Sequence, residues 1–332
     1  MVDISYNNVT TYINTTTILP SNDYISDITF YGYCSLFIVI FGTLFNVLGF
    51  AVLCRRTFRD TKTRPVTHYM RLIMVMDLLS VYGWNLDNYL QIIHGFTLAY
   101  SYTIASCKFS IFFNTVLMQA SAWIRVFICL DRYLALSRMQ PNTWFNRSRN
   151  ILTIIAGTIV FFILFNLHFL IFVCYRDTSG QIVIDSTLFR VYPTYSRVNM
   201  AIGICLPFLL MMSFNSISIY HLIQLRNTTL VQNSRIRHRS ISITLIITAF
   251  LFLVTSVPSK MIYSFFFDQL GGSIWGQRIL NTFDTIGYIY PLLDFPIYLA
   301  TFSEFRHELF NFVARKREVH STAQTNRQLH VT

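Results

Sequence analysis

Residues 102–139 read YTIASCKFSIFFNTVLMQASAWIRVFICLDRYLALSRM. No side chain from Phe109 to Trp123, or from Val126 to Leu130, carries a charge. A helix rising about 1.5 Å per residue needs about 20 such residues to cross a bilayer core of about 30 Å, and this run is long enough. It ends in Asp131-Arg132-Tyr133, which puts two opposite charges and a phenol where the helix reaches water. Any membrane helix with a polar cytoplasmic end would read the same way, so the rest of the chain has to decide.

Composition points in the same direction. The 332 residues are 53% apolar and only 12% charged, with a mean hydropathy of +0.47. Soluble domains carry about 25% charged residues. The apolar residues gather into blocks of spanning length, as in an all-α membrane protein. Residues 1–30 contain no Lys or Arg and no compact apolar core, so no cleavable signal peptide is expected and the first helix would insert the chain itself. The net charge of +11 is scattered over separate loops, which argues against nucleic-acid binding.

Seven apolar blocks follow one another at about 32–54, 68–93, 104–137, 150–172, 198–224, 238–267 and 278–300. One set of connections holds Arg55, Arg56, Arg59, Lys62, Arg64 and Arg71, then Arg132, Arg138, Arg147 and Arg149, then Arg226, Arg235, Arg237 and Arg239, and finally Arg306, Arg315, Lys316, Arg317 and Arg327. The other set holds only Lys108, Arg176, Arg190, Arg197 and Arg278. The positive-inside rule puts the richer set in the cytoplasm, the N-terminus outside and, with an odd number of crossings, the C-terminus inside. Residues 1–30 then form an extracellular tail whose sequons at Asn8 and Asn14 are candidate glycan acceptors. Residues 31–301 form the spanning domain. In 302–316, Phe302, Phe305, Leu309, Phe312 and Val313 make one apolar stripe, as in a short helix lying on the inner membrane surface. Residues 317–332 are polar and aperiodic, a disordered tail.

A polar side chain inside a spanning helix is costly and needs a reason. Asn46 lies in the first block and Asp77 in the second; Pro207 lies in the fifth; Phe252 and Pro258 lie in the sixth; Asp294-Phe295-Pro296-Ile297-Tyr298, followed by Phe305-Arg306, closes the seventh. With Asp131-Arg132-Tyr133, this ordered set resembles the motifs of the rhodopsin-like (class A) G-protein-coupled receptors over residues 30–316. The resemblance implies a seven-transmembrane bundle with a short amphipathic eighth helix. It implies coupling to a heterotrimeric G protein through Asp131, Arg132 and Tyr133. Activation would work through Asn46, Asp77, Phe252, Pro258, Asp294, Pro296 and Tyr298. A disulfide would join Cys107 to Cys174, although Cys174 comes early in its loop. Peptide receptors of this group are the nearer likeness, and the plasma membrane is the expected location.

The chain also departs from the family pattern. The seventh-helix proline comes one position late, Ser256 stands where a Trp is usual, Asn215 replaces a Tyr, and no acid near the start of the sixth block is available to lock Arg132. Arg125 is the least usual residue. It lies seven positions before Arg132, where the family has an aliphatic side chain. Either it faces a water pocket or snorkels, or it pairs with Asp77 or Asp294 in place of the sodium ion many such receptors hold.

The resemblance also limits the ligand. An opsin needs a Lys in the seventh helix, and residues 278–300 have none. A monoamine receptor needs an Asp where this chain has Asn114. Trp84, Asp87, Asn114, Met118, Lys260, Tyr263, Asp284 and Tyr288 remain as pocket candidates. Asp87 and Asp284 would hold a cationic group, favouring a basic or amidated neuropeptide, or else they simply face water. The stretches His168–Tyr175 and Gln181–Asp185 would form a hairpin lid over the pocket, or an irregular loop. No catalytic, cofactor or metal constellation is recognisable, so an enzyme is not expected. A transporter or channel is the rival class, and the odd helix count and lack of an internal repeat count against it.

Overall fold

The computed structural model describes residues 22–59, 65–98, 103–136, 147–176, 178, 182–183, 198–227, 233–312 and 314. Asn8, Asn14 and the segment 317–332 lie outside the described residues. The helices are α1 (Asn22–Leu53), α2 (Arg56–Arg59), α3 (Thr67–Ser80), α4 (Leu86–His94), α5 (Ile104–Leu136), α6 (Ser148–Phe165), α7 (Phe169–Phe172), α8 (Leu206–Asn227), α9 (Asn233–Phe265), α10 (Phe267–Leu270), α11 (Ile274–Gly287), α12 (Tyr290–Thr301) and α13 (303–312). Five-residue π segments precede α4 (Val81–Asn85) and α8 (Ala201–Cys205). Strands β1 (Tyr175–Arg176) and β2 (Ile182–Val183) pair antiparallel. Among the described residues the fold is all-α apart from this ribbon.

Among the described residues, five helical runs are long and apolar enough to cross a membrane: Ser26–Leu53, Ile104–Leu136, Ser148–Phe172, Val198–Gln224 and Ser242–Ile262. Their outer faces fit a multi-pass membrane protein. On α1, Phe30, Tyr33, Phe37, Ile40, Leu44 and Val47 are exposed at three-to-four-residue spacing, while Ser35, Ile38, Asn46 and Leu53 are buried on the opposite face. Water would not tolerate such an apolar stripe; hydrocarbon does. Two further runs, Thr67–His94 and Ile274–Thr301, are interrupted and carry Arg71, Asp77, Asp87, Arg278, Asp284 and Asp294. The second breaks at Tyr288 and Ile289, just ahead of Pro291, which has no N–H to offer the Gly287 carbonyl.

Helix α5 is the hub, packing against α3, α6, α8 and α9, while α1 lies against α3, α4, α11 and α12. In lipid, close packing and interhelical hydrogen bonds hold helices together. At Gly49 an added Cβ would lie 2.9 Å from Met74 Sδ, so the α1–α3 contact is close and a larger residue there would push the Met74 side chain aside. Each π segment disturbs the regular hydrogen-bond ladder, and in each a carbonyl accepts from a side chain of α5. Asn114 Nδ2 donates to Gly83 O at 2.9 Å, and Trp123 Nε1 donates to Ile202 O at 3.0 Å.

Three expectations need adjusting. Helix α1 begins at Asn22, ahead of the first apolar block. The hairpin is present, but its first strand is only Tyr175–Arg176, because Phe169–Phe172 is helical. A short run of apolar residues is compatible with either state, and here it prolongs the preceding helix. The surface-helix stripe folds inward at its start: Phe302 and Phe305 are fully buried against Phe58, Phe295 and Tyr298. Glu308 pairs with Arg55 at 3.5 Å and accepts a hydrogen bond from Thr57, fastening α13 to the segment that follows α1.

Candidate functional site

The deepest polar group is built on Arg125. One guanidinium nitrogen donates to both oxygens of Asp77, at 3.0 and 2.9 Å, and the other donates to Asp294 Oδ2 at 3.1 Å. The pairing expected with Asp77 or Asp294 is made with both. Residue exposures are 0% for Asp77, 2% for Arg125 and 3% for Asp294, so the group is sealed from solvent. The guanidinium carbon lies 4.8 Å above the Phe252 ring and 5.3 Å above Tyr290, whose rings meet edge-on at 5.1 Å. One side chain therefore links α3, α5, α9 and α12. Beside it, Asn46 Nδ2 donates to Gly42 O at 2.8 Å and to Pro291 O at 2.9 Å, tying α1 to α12.

Towards the end of α5, Arg132 Nε donates to Asp131 Oδ2 at 3.0 Å, and both residues are buried. Asp131 is the partner Arg132 has among the described residues. Tyr133 stacks on Phe214 of α8, with ring centres 6.0 Å apart. Phe252 packs with Val126, Cys129, Met211 and Leu253, six residues ahead of Pro258 in the interior of α9. Pro296 lies inside α12, and Tyr298 is buried against Phe305.

At the opposite end of the bundle, Trp84 Nε1 donates to Asp284 Oδ2 at 2.8 Å, and the indole stacks on Tyr288 at 5.2 Å with planes 9° apart. Lys260 Nζ stands 5.0 Å over the other participant of that stack, Tyr288. The Tyr288 hydroxyl reaches Met118 Sδ at 3.9 Å. Asn114 is committed to the π segment. Asp87 Oδ1 accepts from the Leu98 N–H at 2.6 Å, so this carboxylate closes the turn after α4. Tyr263 is placed on α9 by its backbone. The structure thus gathers Trp84, Met118, Lys260, Asp284 and Tyr288 into one cluster and gives Asp87 a holding role in the adjoining turn.

Cys107 at the head of α5 is bonded to Cys174 just before β1, which anchors the ribbon to the bundle. Cys34, Cys54, Cys129 and Cys205 are free thiols. Sequence reasoning missed a second interhelical network: Asn166 Nδ2 donates to Gln119 Oε1 at 2.6 Å, and Gln119 Nε2 donates to Asn199. It also counted Arg71 only as a connecting-segment cation, whereas Arg71 lies on α3 and its guanidinium caps Leu53 O at 2.8 Å and Phe58 O at 2.9 Å. Gln119 and Asn166 stand in apolar blocks, so a screen for amides as well as charges would have found them.

No protein-family model matches the chain, and no curated protein matches its sequence.

Proposed function

We propose that this chain is a rhodopsin-like G-protein-coupled receptor. Seven helices cross the plasma membrane with the N-terminus outside and the C-terminus in the cytoplasm. An extracellular ligand, in the manner of a neuropeptide, binds among Trp84, Met118, Lys260, Asp284 and Tyr288. A heterotrimeric G protein meets Asp131, Arg132 and Tyr133. No bond is made or broken: a ligand that binds the active arrangement more tightly than the resting one shifts the population.

The observation that carries this reading is the Arg125 group at mid-depth. It connects α3, α5 and α12 by ion pairs and touches α9 through Phe252. It lies between the outer cluster and the Asp131–Arg132 pair. Helix α9 would swing about Pro258, carrying Phe252 off the guanidinium and opening a cleft beside Arg132. Pro296 and Tyr298 would let α12 follow. A transporter or channel needs ionisable groups left available to its cargo, whereas Asp77, Arg125 and Asp294 are spent on one another.

A G-protein activation reporter tests the reading. Basal output of the wild type is compared with Arg132→Ala at matched surface level, before any ligand is added. Output lost in the variant supports coupling through the triplet. Output in the wild type that Arg132→Ala leaves unchanged sinks it.

A further inference from the structure

Lys260 is the charged residue that the mid-depth group does not explain. It lies on α9 two residues beyond Pro258, is half-buried, and forms no ion pair among the described residues. An ammonium inside a membrane bundle is costly and is normally paired or functional. Its one aromatic contact, with Tyr288, is the weaker kind of compensation.

Its position is set by packing. Helices α9 and α11 meet at Gly287, where an added Cβ would lie 2.6 Å from Ser259 Oγ. Only glycine permits that approach, and it brings Lys260, next to Ser259, over Tyr288, next to Gly287. Trp84 then covers Tyr288 in a near-parallel stack, and its indole N–H occupies one oxygen of Asp284. The Asp284 carboxylate is therefore held in place by an uncharged donor, and no ion pair reaches it from Lys260. The cluster presents an ammonium, a stacked aromatic plate and a carboxylate side by side, the two charges acting on each other through space without direct contact.

We infer that Lys260 is an anion-accepting subsite, and that the ligand of this cluster carries a carboxylate beside a flat apolar group. The carboxylate pairs with Lys260 and the apolar group lies along the Trp84–Tyr288 plate. In this proposal the second oxygen of Asp284 accepts from an amine on the same ligand. An amidated peptide end brings no charge to Lys260 and is the wrong chemistry here. The inference deepens the receptor reading and rests on it for the side from which the ligand arrives.

The test uses purified full-length protein in nanodiscs and follows the thermal unfolding midpoint. The probes are N-acetyl-phenylalanine, its amide, and free phenylalanine, each at millimolar concentration. The acid is expected to raise the midpoint by about 3 °C near tenfold over its dissociation constant, and the amide to leave it unmoved. Lys260→Gln should abolish the rise and Lys260→Arg should retain it. Lys108→Gln, on the outer surface, should not alter it. A rise with N-acetyl-phenylalanine identifies a peptide-like carboxylate end. A rise with free phenylalanine only, lost in Asp284→Asn, identifies a zwitterionic amino-acid-like ligand. Equal rises with acid and amide, a rise that survives Lys260→Gln, or no rise with any probe overturns the inference. If Lys260→Gln does not fold, the acid–amide comparison on the wild type and the Lys260→Arg variant still decide. The readout needs no G protein, so a failed coupling assay and a failed binding assay are separate results.

Discussion

Replacing Arg125 by leucine removes the one cation from a group of two sealed carboxylates. The wild-type guanidinium makes three hydrogen bonds of 2.9–3.1 Å to Asp77 and Asp294. Taking away one partner of a buried pair typically costs about 3–5 kcal/mol, because the charge left behind has neither water nor a counter-ion. In a bundle of this size that cost corresponds to a fall in unfolding midpoint on the order of 10 °C. Two acids left facing each other are also a site for a small cation. The variant should therefore regain part of its stability in sodium compared with equal potassium, while the wild type, whose site is filled by Arg125, should not respond. A cation at a hundred times its dissociation constant returns about 2.7 kcal/mol, most of what was lost. The assay is thermal unfolding of both proteins in nanodiscs, in sodium and in potassium. Arg125→Leu combined with Asp77→Asn and Asp294→Asn removes the orphaned charges and should lie well above the single variant. If Arg125→Leu is as stable as the wild type in both salts, or if the wild type itself responds to sodium, the reasoning fails.

Three further outcomes follow from the geometry. Cys174→Ser should lower stability by about 2–5 kcal/mol, with reduced surface expression, and thiol alkylation should then report Cys107 as a new reactive group. Gln119→Leu removes the middle of the chain from Asn166 to Asn199 and leaves the Asn166 amide without its interhelical acceptor, so a loss of about 1–3 kcal/mol is expected in a thermal unfolding assay. Glu308→Gln breaks a partly buried pair with Arg55 at 3.5 Å but leaves an acceptor for Thr57, and a change of about 1 kcal/mol or less is expected. Any larger effect of Glu308→Gln on proteolysis of residues 303–312 would show that this contact holds the surface helix in place.

What could be read from the chain beforehand depended on whether the signal was local. The apolar blocks are local, and five of them return as helices long and apolar enough to span. The surface-helix stripe is local too, and 303–312 is helical. The π segments were not legible, although each has a glycine at its centre, Gly83 and Gly203. Their stability depends on Asn114 and Trp123, donors that the fold brings from another helix. The same limit applies to Arg125. The sequence showed a cation that needed an acid and offered two, but the relative depth of α3, α5 and α12 decides that it reaches both. Asp87 shows the converse case. A carboxylate near a helix end reads as a ligand group, and only the following turn reveals that it holds the Leu98 N–H.

The polar residues inside the bundle thus divide by how completely the protein satisfies them. Asp77 and Asp294 are matched by Arg125, and the Asn166 and Gln119 amides by each other. Such groups can hold helices in register, and their loss should be read as lost stability. Lys260 differs because no carboxylate among the described residues comes within ion-pair distance of it, Asp284 acting on it only from farther away. Burial cost alone would select against it, since a leucine at that site would pack as well and cost less. Variants of Arg125 and Lys260 should therefore behave oppositely. Arg125→Leu should lower stability without any added molecule. Lys260→Gln, by removing a charge that has no contact ion pair, should leave the unliganded protein as stable as before or slightly more so, and should lose only the response to a carboxylate probe. A Lys260→Gln protein much less stable than the wild type in the absence of ligand would place Lys260 with the structural ions instead.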